Sequence, residues 1–120
     1  MSMVIHFEIP ADDIDRARNF YSSLFNWDIR DVPGRNNYLL ITTSGEKAVS
    51  SSLIKRFSPK QTTIMYFDVP SVDGYSAKVQ QLGGKVIVSR KAVPGTGYFA
   101  ICLDTENNTF GIWEENKDAR

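Results

Sequence analysis

The chain has 120 residues, 42% of them hydrophobic, and its fourteen basic and fourteen acidic side chains cancel, enough material for one domain that buries roughly two-thirds of its unfolded surface. With no basic run longer than Lys55-Arg56 or Arg90-Lys91, the sequence offers no electrostatic footprint for nucleic acid or for a membrane surface. The lone cysteine, Cys102, excludes an internal disulfide or a cysteine-based zinc site, and the absence of a long apolar run or a leader-like start points to a cytoplasmic protein.

Val4 to Pro10, VIHFEIP, alternates as a strand does. Ile5, Phe7 and Ile9 share one side, and Val4, His6 and Glu8 share the other. DDIDRARNFYSSLF follows, with Ile14, Ala17, Tyr21, Leu24 and Phe25 on one helical stripe. Asp12 or Asp13 serves as its cap, and Asn26 ends it in a left-handed conformation. Three short strands come next, WDIRDV, YLLITT and AVSSSLI, divided by Pro33-Gly34 and Ser44-Gly45. Ser58 to Gln61 is the predicted link.

At Ile64 the pattern starts again. IMYFDVP aligns with VIHFEIP at an offset of 66 minus 6, or 60, and places Tyr66 where the only histidine, His6, stood. A second helix is predicted over DGYSAKVQQL, through Tyr75, Val79 and Leu82, with an aspartate as its cap and Gly83 after it. KVIVSR, YFAICL and TFGIWEE then form strands around turns at Pro94-Gly95 and Asn107-Asn108. Strand, helix and three strands therefore occur twice, as modules 1–58 and 59–120 of a single domain. One helix cannot cover both faces of four strands, so the uncovered faces are expected to curve into a concave pocket for a small-molecule ligand.

No nucleophile elbow, phosphate loop, dinucleotide fingerprint or zinc-protease motif occurs, and GTGYF precedes a strand and so reads as a turn. Trp27 and Trp113 read as core, with Trp113 turned toward the helices, and Cys102 as a buried, inert thiol. Glu114 shares a stripe with Phe110 and Ile112, where a carboxylate needs a partner. Lys55 is the candidate, and the alternative is that both side chains reach solvent.

HFEIPADD, Ala17, Phe20-Tyr21, Leu24-Phe25 and Trp27 in the first copy, with PGTGYFA and FGIWE in the second, resemble the vicinal oxygen chelate superfamily. This family comprises the glyoxalase/bleomycin-resistance/dioxygenase proteins, and the closest likeness is to its lactoylglutathione lyase-like members. The resemblance implies an α+β fold of two tandem βαβββ modules in a curved mixed sheet, a homodimer, and in the enzymes one divalent metal ion in the pocket. His6 and Glu114 match metal-ligand positions, whereas Tyr66 and Lys55 occupy the other two and are not ordinary ligands. A divalent ion usually needs about three protein donors. The expectation is a small-molecule binding protein of unassigned ligand without a complete metal site, or an enzyme without one in which His6 or Glu114 acts as general base beside Lys55 and Tyr66. The alternative is a metal-dependent lyase, isomerase or dioxygenase with His6 and Glu114 as ligands.

Overall fold

A computed structural model describes residues 2–43, 49–56 and 58–120. The elements run β1 (Val4–Ala11), α1 (Ile14–Phe25), β2 (Asp28–Val32), β3 (Arg35–Thr42), β4 (Ser50–Lys55), β5 (Ile64–Asp68), α2 (Val72–Gln81), β6 (Lys85–Val93), β7 (Gly97–Leu103) and β8 (Thr109–Glu115). This is the predicted α+β order, strand, helix and three strands in each half. The predicted turn at Ser44-Gly45 and the start of the following strand at Ala48 lie outside the described residues.

The chain divides into two compact units, one of residues 6–63 and one of residues 64–120 together with the residues through Ile5. In the first, strand order is β2-β3-β4-β1, and in the second β5-β8-β7-β6. The sheets are mixed. β1 runs parallel to β4 and β5 parallel to β8, while the remaining neighbours are antiparallel. Parallel pairing follows from the order of elements, because a helix after the opening strand carries the chain over the sheet before the last strand returns beside the first.

In the first unit α1 is capped by Asp13, whose carboxylate accepts from the Arg16 N–H at 3.0 Å, and Asn26 closes it at φ 59°. Ile14, Ala17 and Tyr21 pack from the helix, with Ile9 and Trp27, on a core of Ala11, Ile29, Leu39, Ile41 and Leu53. The stripe is narrower than predicted, since Leu24 and Phe25 are 57% and 52% exposed. In the second unit the cap of α2 is Ser71, whose hydroxyl accepts from Gly74 N–H, so the predicted aspartate gives way to the residue before the helix. Tyr75 and Val79 pack on Val69, Val72, Ala100, Cys102 and Ile112, but Leu82 is 77% exposed. Gly83 follows α2 at φ +94°, as expected of a residue ending a helix.

Trp113 departs from its predicted direction. Ile112 packs with Val72 and Val79, so alternation along β8 turns Gly111 and Trp113 to the face away from α2. That face has its own small core, in which Ile64, Tyr66 and Ile101 are buried against Ile5, Val88 and Phe99.

Candidate functional site

β1 and β4 pair with His6 opposite Ser50 and Glu8 opposite Ser52. Since Ile9, Ala11 and Leu53 face α1, alternation turns these four polar residues to the opposite face. His6 Nδ1 lies 2.9 Å from Ser50 Oγ, and Nε2 lies 3.2 Å from Ser52 Oγ and 3.9 Å from Glu8 Oε2. The imidazole is 20% exposed and the Glu8 side chain 16%, while Ser52 is wholly buried. This makes a polar cluster with an exposed edge at Ser50 and a dry back at Ser52. Sequence reasoning found His6 and missed the serines. The signal was the run of three serines in β4, an unusual choice for a central strand, whose alternate members line up with His6 and Glu8.

The other predicted site residues have contacts of their own. Glu114 faces α2, as its alternation with Phe110 and Ile112 required, and its Oε1 accepts from the N–H of Val72, the first residue of that helix, at 2.8 Å. It is thus a cap, placing a carboxylate where free amides and the positive end of the helix dipole favour it. Lys55, predicted as its partner, donates instead to the carbonyl of Asp12 at 2.7 Å. Each is engaged inside its own unit. Tyr66 lies opposite Gly111 on the helix-free face, and its ring covers the place a Cβ there would take. The buried Cys102 is free, and desolvation pushes its thiol pKa upward.

These donors do not fit a divalent ion. A metal at His6 has to displace a serine hydroxyl from whichever nitrogen it takes, and one at Glu114 competes with the first turn of α2. Among the described residues no group of three or more His, Cys, Asp or Glu is placed to hold a metal.

A groove of about 350 Å³ opens in the first unit beside α1, lined by Asp13, Arg16, Phe20, Tyr21 and Arg56 among others. It lies on the helix-bearing side, away from the histidine. Arg56 is already committed there to Asp12 and to the carbonyls of Pro10 and Gln61.

Residues 4–112 match the family model of the Glyoxalase/Bleomycin resistance protein/Dioxygenase superfamily. The chain belongs to this superfamily. Among curated relatives, the anthracycline biosynthesis protein DnrV of Streptomyces peucetius is 22% identical over 125 residues, covering 91% of this chain and 46% of that protein. A glyoxylase-like domain-containing protein of Didymella fabae is 29% identical over 123 residues, covering 92% and 95% respectively. The chain therefore spans about half the length of DnrV, although nearly all of the fungal protein. A solved member of the superfamily from Vibrio splendidus 12B01 superposes with a TM-score of 0.69 at 12% identity, covering 96% of this chain and all of that one. That likeness speaks for the glyoxalase-type fold. No helix among the described residues is long and apolar enough to cross a membrane.

Proposed function

We propose that this superfamily member binds a small molecule without a resident metal and that His6 is its proton acceptor. The observation that carries this reading is the seating of both ring nitrogens on serine hydroxyls, Nδ1 at the exposed edge and Nε2 at the buried one. Glu8 stands 3.9 Å from Nε2 and favours a proton on that nitrogen, with Ser52 Oγ as its acceptor. The Nδ1 lone pair then faces Ser50 and the open side. A ligand O–H or an acidic C–H presented there replaces the Ser50 hydroxyl and gives its proton to Nδ1, and the half-buried carboxylate of Glu8 stabilises the imidazolium that results. The substrate remains unassigned in this reading. Tyr66, Lys55 and Glu114 are left outside the proton transfer because each has a structural place of its own.

The competing reading, a metal-dependent lyase or dioxygenase with His6 and Glu114 as ligands, requires both side chains to abandon the contacts just described. The proposal also includes a cytoplasmic homodimer. It is supported by the free thiol and by Phe20, Leu24 and Phe25, which stand 59%, 57% and 52% exposed on α1 and which a second copy would cover.

His6 is the only histidine, so its ring protons give an isolated magnetic resonance signal that serves as the test. Small-molecule mixtures should contain compounds that shift this signal in the native protein and do not bind His6→Gln protein, while stoichiometric Mn²⁺ leaves it sharp. A divalent ion present at one equivalent in protein purified without added metal, and lost in His6→Ala, overturns the proposal.

A further inference from the structure

The second unit carries a row of aromatic side chains on the sheet face away from α2. Its strand register places Lys91, Phe99, Trp113 and Asp68 in one row across β6, β7, β8 and β5, each directly opposite the next. Beside that row lie Ile101, Gly111 and Tyr66. These residues share the face away from α2, because Arg90, the neighbour of Lys91, lies over Tyr98 and pairs with Asp73 on the helix side.

Two glycines decide how the rings lie. A Cβ on Gly111 would overlap Cδ1, Cε1 and Cγ of Tyr66, and a Cβ on Gly97 would meet Cζ2 of Trp113 at 2.5 Å. Neither glycine is needed for a positive φ. Glycine inside a strand weakens it, and its use here marks a close approach. The Trp113 ring thereby lies against the sheet over Gly97, while the Tyr66 ring is buried over Gly111. Trp113 and Phe99 remain only partly buried, and Lys91, at the outer end of the row, is exposed and makes no ion pair among the described residues.

We propose that this face binds a planar fused-ring aromatic acid, with its rings stacked on Trp113 and Phe99 and its anionic group on the Lys91 ammonium. The spacing selects the class. Lys91 is opposite Phe99 and two strands from Trp113, roughly 10 Å at the ordinary strand separation, so a ligand of two or three fused rings covers both side chains and reaches the ammonium, whereas a single-ring acid at the cation covers Phe99 alone. Stacking fixes the plane and the ammonium fixes the direction. This inference goes beyond the proton transfer assigned to His6 and uses no residue of the first unit.

The test is titration of the full chain with 3-hydroxy-2-naphthoate, its uncharged methyl ester, and benzoate. The Trp27→Phe background leaves Trp113 as the only indole of the two in the sequence. Saturable quenching by the naphthoate is expected, with binding at least tenfold weaker for the ester and for benzoate. By calorimetry, Lys91→Met should weaken the acid about tenfold and bring acid and ester together, and Trp113→Leu should cost tenfold or more, in line with the loss of one stacking platform. Lys91 is exposed, so its variant tests the proposal even if a Trp113 variant unfolds. Failure of the naphthoate to bind, equal binding of acid and ester by native protein, or binding unchanged in Lys91→Met overturns it. His6→Gln should bind the naphthoate as native protein does, so this result and that of the histidine experiment are read separately.

Discussion

Replacing Glu114 separates its role as a helix cap from a role as metal ligand. In Glu114→Ala the N–H of Val72, a residue with no exposed surface, loses its carboxylate acceptor at 2.8 Å. An unsatisfied buried donor costs about 1–3 kcal/mol, and removal of a negative charge from the start of a helix adds about 0.3–1 kcal/mol. Ser71 still caps Gly74, so α2 keeps part of its first turn and the sum should fall near 2–3 kcal/mol. For a chain of this size each kcal/mol moves the midpoint by roughly 4 °C, which predicts a Tm about 8–12 °C lower for Glu114→Ala. Glu114→Gln keeps an acceptor and gives up only the charge, so its loss should be about 1 kcal/mol or less. Thermal unfolding followed by circular dichroism in the presence of a chelator reads both. A Glu114→Ala variant that melts within 2 °C of native protein under those conditions, yet has lost affinity for a divalent ion, would refute the assignment of this carboxylate to α2.

Alanine at Gly97 and at Gly111 should differ in cost. At Gly111 the atoms nearest the new methyl belong to the Tyr66 ring, a side chain that can shift at the cost of its own packing, and a loss of about 1–3 kcal/mol is expected. At Gly97 it also meets the backbone carbonyl of Glu114, so urea denaturation should rank that variant lower. Asp104 is held below its ordinary pKa chiefly by the N–H of Asn108, with further bonds from the Asn108 side chain and the Glu106 N–H. A depressed folded-state pKa means that its stabilisation is fully present above the unfolded value of about 3.9 and disappears as pH falls through the folded one. The stability gap between native protein and Asp104→Asn should therefore be open at pH 7 and close in acid. Cys102 should react with a thiol reagent only at the rate of unfolding, in proportion to urea, because burial both hides the sulfur and disfavours its thiolate.

The repeat made most of the architecture legible, since a strand pattern that recurs with its helix and turns constrains eight strands and two helices together. Where the reading slipped, neighbouring residues offered the same local chemistry. Ser71 and Asp73 are both competent caps, and Ser71 serves because the helix begins at Val72. Leu24 and Leu82 continue their stripes by spacing, but each lies at a helix end and is exposed. In IWE, alternation allows either Ile112 or Trp113 to face the helix. The deciding signal lay in Gly97 and Gly111 on adjacent strands, which leave room for large rings on the other side. The candidate site was half legible. A lone histidine on the polar side of a strand was visible, but Ser50 and Ser52 come from a strand more than forty residues later, and only the parallel register of β4 on β1 joins them to it.

β1 begins in one unit and ends in the other, because the residues through Ile5 group with 64–120 while His6 onward groups with the first half. The Met3 N–H bonds the Asp68 carboxylate at 2.6 Å, and the Met3 carbonyl accepts from the Asp68 N–H at 3.1 Å. Severing the chain at its internal symmetry point would thus strand a few N-terminal residues on the wrong fragment and leave β5 with a raw edge. A fragment that begins after residue 58 would therefore lack the backbone partner that Met3 gives Asp68.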